Sequence, residues 1–309
     1  MVNRWWVYQR ERFPVLGHGM LIAAFSFSAV CFSALLSGQS NLPPLRACLV
    51  AFGTAFLFFL QLRIADEFKD FEEDSRYRPY RAVPRGLVTL RELAGVFVLG
   101  ALIQFGLALW LEPSLVLLLA ITWTYLALMS KEFFVAEWLK KRHILYMVSH
   151  MAIMPLVDFY ATACDWWPTG EGAPRGLIWF VVVSYFNGMV IEIGRKIRGP
   201  QDEEVGVNTY SALWGMRTAT FVWLGALVLT ACFAATAAYR IDFLVPMVAV
   251  LVVLLATAGL VAARFLRDST TKRSKMIETF SGIWTLLMYL SLGAVPLLSR
   301  WWSFGERGA

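Results

Sequence analysis

Three aspartates spaced four residues apart are the clearest candidates for chemistry in this chain. Asp66, Asp70 and Asp74 would line one face of a helix that continued through them, because each step of four residues turns the position by only about 40°. Like charges on one face repel one another, so cations have to offset them. Carboxylate oxygens with an open face suit Mg²⁺, which keeps several waters and commonly bridges to substrate phosphates. The spacing therefore indicates a candidate divalent-metal site.

A basic stretch follows the last of these aspartates. It contains Arg76, Arg78, Arg81 and Arg85. The planar guanidinium group of arginine suits phosphate oxygens. Carboxylates followed directly by arginines are therefore consistent with a metal-and-cation site for a diphosphate. The alternative is a solvated helix end whose charges form ordinary surface ion pairs.

A second group of charged residues follows another apolar segment. It begins with Glu192, Arg195 and Lys196 and continues to the acidic residues 202–204. Glu192 and Lys196 are four residues apart and could form an intrahelical ion pair, while 202–204 could be a solvated loop. Two acidic and basic groups at the ends of apolar segments are a stronger signal than either group alone.

The composition of the chain indicates the class of protein in which these charged residues lie. The chain of 309 residues is 58% hydrophobic and 16% charged, and its mean hydropathy is +0.59. Soluble domains have about 45–50% apolar and about 25% charged residues, so a soluble domain, a disordered chain and a coiled coil are all excluded. The four cysteines form neither a disulfide framework nor a metal-ligand pattern. The composition indicates a polytopic membrane protein.

Nine apolar segments approach the length of about 20 residues that a transmembrane helix needs. The long apolar run from 94 to 130 is interrupted only by Glu112 and Pro113, which favours two helices joined by a tight turn. The predicted spans are 15–37, 47–62, 94–111, 113–130, 144–164, 176–191, 218–239, 243–263 and 279–299.

The distribution of lysine and arginine predicts the orientation in the membrane. With nine spans, 23 of the 28 lysines and arginines fall on the side of the N-terminus. Because cytoplasmic loops carry the excess of positive charge, the N-terminus is predicted to be cytoplasmic and the C-terminus outside. The net charge of +6 then reflects these loops, and we expect no nucleic-acid partner. The expected location is a bacterial inner (plasma) membrane.

With these residues in place, the sequence resembles the UbiA superfamily of intramembrane prenyltransferases. The first motif of that family reads Asn-Asp-x-x-Asp-x-x-x-Asp, and Asp66, Asp70 and Asp74 match its spacing, with Asp66 where the Asn would stand. Arg81 and the residues up to Gly86 look like the basic stretch that follows the family motif.

The second motif of the family reads Asp-x-x-x-Asp, with a glycine and a threonine downstream. Glu192 fits its first position, but Lys196 stands at its second. This departure leaves two readings of the usual two-metal arrangement. Lys196 or Arg195 could replace one metal, or an acidic residue further along could reach back to ligate it. The downstream part is similar to Asp202, Glu203, Gly206 and Thr209.

The resemblance implies an all-α fold of nine transmembrane helices around a central cavity that opens near the cytoplasmic face. Residues 1–309 would form a single domain, with loops 63–91, 131–142 and 195–217 capping the active site. It implies a Mg²⁺-dependent enzyme that ionises a prenyl diphosphate and transfers the prenyl group to an aromatic or other lipophilic acceptor. The implied metal ligands are Asp66, Asp70, Asp74, Glu192 and Asp202, and the implied diphosphate contacts are Arg81, Arg85, Lys131, Arg195 and Lys196.

Three polar residues inside the apolar segments are candidates for an acceptor site or cavity wall. Asp158 is a functional candidate because an intramembrane carboxylate is costly, although it could also be a hydrogen-bonded structural group. His150 could orient or deprotonate an acceptor, or simply satisfy its hydrogen bonds between helices. Asn187 could face the cavity or serve helix packing.

Other activities fit parts of the same pattern. A UbiA-type terpene cyclase would use the same diphosphate site and trap the cation within its own chain. A polyprenyl-phosphate glycosyl or phosphoribosyl transferase is another enzyme reading. A transporter is a weaker alternative, with Pro155 and Pro246 as kink positions.

Overall fold

The chain forms an all-helical membrane protein, as the sequence predicts. The computed structural model describes residues 3–305, and all regular elements in that range are helices. Nine helical segments in the described range are long and apolar enough to cross a membrane. The predicted locations of the two chain termini concern residues outside the described range.

The helices are α1 (Arg4–Arg12), α2 (Val15–Leu36), α3 (Leu45–Lys69), α4 (Phe71–Tyr77), α5 (Leu90–Leu111), α6 (Val116–Ser130), α7 (Ala136–Lys140), α8 (His143–Met151), α9 (Ile153–Trp166), α10 (Leu177–Arg195), α11 (Tyr210–Trp214), α12 (Met216–Arg240), α13 (Leu244–Arg267), α14 (Thr271–Leu292) and α15 (Ala294–Gly305). Short 3₁₀ turns lie at Pro113–Leu115, Glu132–Phe134, Trp167–Thr169 and Pro200–Asp202. Most spans extend beyond their predicted ends because polar residues continue the helices past the apolar segments.

Prolines explain where two spans are broken. A proline inside a helix lacks the N–H that would bond to the carbonyl four residues earlier, and its ring collides with that carbonyl. Pro155 follows the break between α8 and α9, and Pro296 follows the break between α14 and α15. Pro246 lies in the first turn of α13, where no such bond is lost, so it produces no kink. The predicted turn at Pro113 is confirmed.

The helices form two compact units. The first comprises residues 3–30 and 43–172, and the second comprises 31–42 and 173–305 of the described chain. In the first unit α3 packs against α5 and α9. In the second unit α10 packs against α12 and α14.

Close helix contacts in each unit depend on small residues and interhelical hydrogen bonds, as is common in membranes. A β-carbon on Gly194 of α10 would lie 2.1 Å from the Ser281 hydroxyl of α14. That hydroxyl accepts a hydrogen bond from the indole of Trp223 at 2.9 Å. In the first unit the buried Gln104 donates to the carbonyl of Thr54 at 3.0 Å and accepts from the indole of Trp123 at 2.9 Å.

We expect Gln104→Leu to destabilise the protein by about 1 kcal/mol, because it leaves the Trp123 indole N–H without its interhelical partner. Thermal unfolding in detergent measures the change. Thr124→Val on the exposed face of α6 is the control, since its hydroxyl bonds only within its own helix. An unchanged melting temperature for Gln104→Leu would contradict the prediction.

Candidate functional site

The aspartate-rich segment (residues 66–74) bends at its middle aspartate. The helix α3 ends at Lys69, Asp70 has φ −93° and ψ 4°, and α4 begins at Phe71. The backbone N–H of Asp70 still bonds to the carbonyl of Asp66 at 2.9 Å, and that of Asp74 to Asp70 at 2.8 Å. The prediction of one continuous helix face is therefore corrected to two helices joined at Asp70.

Two carboxylates of this segment, those of Asp66 and Asp70, make few interactions with cations or hydrogen-bond donors in the described chain. Asp66 is 42% exposed and lies 3.5 Å from the guanidinium group of Arg63. Asp70 is half-buried and makes no ion pair or side-chain hydrogen bond within the described residues. Burial raises the pKa of Asp70, Lys69 lowers it, and the neighbouring carboxylates raise it again. A cation beside Asp70 would relieve this unfavourable charge.

Asp74 has a different environment from the other two aspartates. It is buried, and its two oxygens lie 2.7 Å from Arg78 and 2.6 Å from Arg81. Two arginines neutralise the charge of this carboxylate, so Asp74 anchors the basic stretch that follows it. The predicted diphosphate contact Arg81 is thereby held at a fixed place beside the aspartate-rich segment.

The N-terminal helix α1 is bound to the same end of the first unit. Arg12 forms a buried ion pair with Glu67, and Glu11 lies 2.8 Å from the predicted diphosphate contact Arg85. Tyr8 of α1 packs into a small core with residues of α3, α5 and the loop between α4 and α5. Sequence analysis missed Glu67 and Arg12 as partners, because they are far apart in the chain and no local pattern joins them.

The loop after α6 supplies one open cation and one buried acid. Lys131 is exposed and forms no ion pair in the described range of the chain. The next residue, Glu132, is buried, and His150 lies 3.4 Å from its carboxylate. His150 also stacks on Tyr146, with ring centroids 3.9 Å apart, so it is a partnered interhelical histidine.

In the second unit, cations of its own helix end neutralise Glu192. Arg195 and Lys196 each lie 2.7 Å from its carboxylate. Lys196 also lies over the ring of Tyr210, 5.5 Å from its centroid. The predicted intrahelical ion pair is thus present, and it is joined by a second cation.

The acidic loop after α10 is tied to its surroundings by hydroxyl groups. Asp202 accepts a hydrogen bond from Thr271 at 2.7 Å, and Glu203 accepts one from Thr209 at 2.6 Å. A β-carbon on Gly199 would lie only 2.3 Å from the carbonyl of Ser269, so this position requires glycine.

Two of the acceptor candidates are completely buried. Asp158 on α9 and Asn187 on α10 have no exposed surface. Neither polar atom of the Asn187 amide has a hydrogen-bond partner within the described residues. A buried amide without partners is costly, so Asn187 is the stronger of the two candidates for contact with a bound molecule.

Comparison with known proteins decides the family. The profile of the UbiA prenyltransferase family matches residues 24–282. The chain belongs to the UbiA prenyltransferase family. It is accordingly an intramembrane enzyme that transfers prenyl groups.

Two solved structures share the fold of this UbiA protein. A digeranylgeranylglyceryl phosphate synthase superposes with a TM-score of 0.62 and 14% identity, covering 97% of this chain and 99% of the other. The apo structure of a UbiA homologue from Aeropyrum pernix K1 gives a TM-score of 0.66 and 14% identity, covering 88% of this chain and 97% of the other. A search of curated protein sequences finds no match.

UbiA proteins generally use Mg²⁺ through aspartate-rich motifs, so the donor set of this UbiA chain has to be compared with that metal. Within residues 3–305, no group of three or more His, Cys, Asp or Glu side chains is arranged to hold a metal. Mg²⁺ in phosphate sites is commonly held by only one or two carboxylates, with water and phosphate oxygens completing the shell. Asp66 and Asp70 fit that requirement, while Asp74 and Glu192 are already neutralised by cations.

We expect Arg12→Met to destabilise this UbiA protein by about 3–5 kcal/mol, because it leaves the buried Glu67 carboxylate without its cation. Proteolysis should then reach α1 sooner, and the melting temperature in detergent should fall. The double variant Arg12→Met/Glu67→Gln should recover part of the loss. Equal stability of the wild type and Arg12→Met would show that the pair does not hold α1.

Proposed function

We propose that this prenyltransferase is Mg²⁺-dependent, ionises a prenyl diphosphate and passes the prenyl group to an aromatic or other lipophilic acceptor. The observation that supports it most is the unequal pairing of the acids in the aspartate-rich segment. Arginines neutralise the buried Glu67 and Asp74, while Asp70 has no ion pair among the described residues and the partly exposed Asp66 lies 3.5 Å from Arg63. A partly buried carboxylate without a cation partner is suited to bind a divalent cation.

Each group has a defined task in this proposal. Mg²⁺ held by Asp66 and Asp70 would supply positive charge to the diphosphate as it leaves. Ionisation breaks the bond between the allylic carbon and oxygen, and the electron pair stays on the diphosphate. Lys131 is exposed and free of acidic partners in the described chain, so it is suited to bind that growing negative charge.

The second cluster contributes cations in our proposal. Lys196 and Arg195 both lie 2.7 Å from the carboxylate of Glu192, so this helix end places two cations beside one acid. Asp202 and Glu203 accept hydrogen bonds from threonines, which supports a structural role for this loop. We therefore assign Lys196 and Arg195 to diphosphate binding, in place of a second metal.

The remaining parts of the reaction depend on apolar surroundings. Water has to be excluded so that the prenyl cation reacts with the acceptor, which then releases a proton. We propose that the cavity opens near the cytoplasmic face and that the N-terminus is cytoplasmic, because basic residues concentrate on that side of the nine spans. Asn187, Asp158 and His150 stay the acceptor-site candidates.

We expect Asp70→Asn to lower product formation at least about a hundredfold, because it removes a charge that balances the metal. The assay incubates purified protein with labelled prenyl diphosphates of several lengths, with Mg²⁺ or EDTA, and analyses the lipid extract by mass spectrometry. Glu72→Gln is the matched control, since Glu72 is exposed on α4 and unpaired within the described residues.

The same assay separates the competing activities. A heavier adduct that requires an added acceptor supports transfer, whereas a product with the carbon count of the substrate indicates cyclisation or trapping by water. Near wild-type turnover in folded Asp70→Asn would contradict the proposed metal site. Absence of metal-dependent diphosphate release at every chain length would contradict the proposed reaction.

We expect Lys196→Met to raise the KM for the prenyl diphosphate about tenfold while leaving the Mg²⁺ requirement unchanged, because it removes one charged phosphate contact. Lys272→Met is the control, since Lys272 is an exposed lysine of the second unit that forms no ion pair among residues 3–305. The stoichiometry of bound Mn²⁺ tests the alternative. A loss of one bound ion in Glu192→Gln would mean that Glu192 ligates a second metal and would overturn this assignment.

A further inference from the structure

A buried polar cluster borders the aspartate-rich segment of the first unit. It consists of Lys69, Glu132, Tyr146 and His150. The ammonium group of Lys69 donates a short hydrogen bond to the Tyr146 hydroxyl, which donates to Glu132 at 3.2 Å. Lys69 also lies 3.4 Å from the Glu132 carboxylate. The Lys69 and Glu132 side chains are only 18% and 6% exposed, so the cluster is largely shielded from solvent.

Lys69 pairs with Tyr146 and Glu132, and not with the acid that its position on the helix favours. On a helix, a lysine commonly pairs with an acid three residues earlier, which here is Asp66. The residue after Lys69 is Asp70. Lys69 instead reaches away from α3 to α8 and to the loop after α6. The hydrogen bond and the ion pair of Lys69 are therefore made with other groups, while its charge still acts on Asp70 from a longer range.

The backbone around Glu132 is shaped for this contact. Glu132, Phe133 and Phe134 have φ values of 50°, 53° and 60°, which bulky residues rarely adopt. Such a run persists only where the surroundings impose it. The carboxylate of Glu132 faces Lys69, Tyr146 and His150, and the ring of Phe133 packs edge-on against Tyr125 and His150. The strained turn thus places the Glu132 carboxylate within 3.4 Å of the Lys69 ammonium group.

We propose that Glu132 and Tyr146 sequester the ammonium group of Lys69, and that this keeps the Asp66 and Asp70 carboxylates open to a divalent cation. The inference rests on the proposed function, because it concerns the metal site assigned there. Glu132 is a positioning residue in this scheme, since it acts on the metal site through Lys69. Lys131, the phosphate-binding cation of the proposed function, immediately precedes this turn.

Release of Lys69 would change the charge at the metal site. An ammonium group set free at this point stays within one helical turn of Asp66 and next to Asp70. It would neutralise one carboxylate and repel a divalent cation. Loss of Glu132 should therefore weaken metal binding, and removal of Lys69 as well should restore it.

Binding of Mn²⁺ to the purified full-length protein, followed by electron paramagnetic resonance, tests the proposal without relying on turnover. We expect Glu132→Gln to weaken Mn²⁺ binding about tenfold. Lys69→Met and the double variant Lys69→Met/Glu132→Gln should bind within about twofold of the wild type, because the competing cation is absent. Glu137→Gln is the matched control, since it removes an acid of the same loop that is exposed and unpaired in the described chain.

The outcomes separate this inference from the proposed function. Wild-type Mn²⁺ binding by Glu132→Gln, together with loss of binding by Asp70→Asn, would overturn the inference alone. A double variant as weak as Glu132→Gln would overturn it as well, because the effect would then come from a disturbed loop. Unchanged Mn²⁺ binding by Asp70→Asn would overturn both the inference and the proposed metal site.

Tyr146→Phe covers the case in which Glu132→Gln does not fold. It removes the hydroxyl that binds Lys69 and keeps the ring that stacks on His150. We expect a loss of Mn²⁺ affinity about threefold, smaller than that of Glu132→Gln because the carboxylate remains. Unchanged Mn²⁺ affinity in this variant would count against sequestration of Lys69 by the hydroxyl.

Discussion

A carboxylate that is buried at the end of a membrane-spanning helix is stabilised by a cation, because its apolar surroundings solvate the negative charge poorly. This constraint organises the charged ends of both units. Arginines neutralise Glu67 and Asp74, a lysine neutralises Glu132, and an arginine with a lysine neutralises Glu192. The acids that no cation neutralises are the ones available to bind a metal.

The two units use this constraint in opposite ways. In the first, the arginines near the aspartate-rich segment pair with Glu67 and Asp74, and Asp70 has no ion pair among the described residues. In the second, Arg195 and Lys196 both lie 2.7 Å from the carboxylate of Glu192.

Several features of the fold follow from local sequence. Apolar segments of sufficient length specify the nine spans in the described chain, and Pro113 specifies a turn because it cannot continue a helix. The predictions were less accurate where tertiary packing intervenes. A helix that continued through residues 66–74 would place the three aspartates on one face, but the helix is interrupted at Asp70, and two arginines pair with the buried Asp74. Pro155 was expected to mark a kink, and α8 does end just before it.

The sequence by itself determined the class of protein, the number of spans and the identity of the charged segments, because hydropathy, proline positions and residue spacing are local properties. Only the tertiary structure decided which acids pair with a cation and which do not. Lys69 is closest in sequence to Asp66 and Asp70, yet its partners are Tyr146 and Glu132. Which acid a cation pairs with depends on the distance between them and on how deeply they are buried. Packing between helices that are remote in sequence determines both quantities.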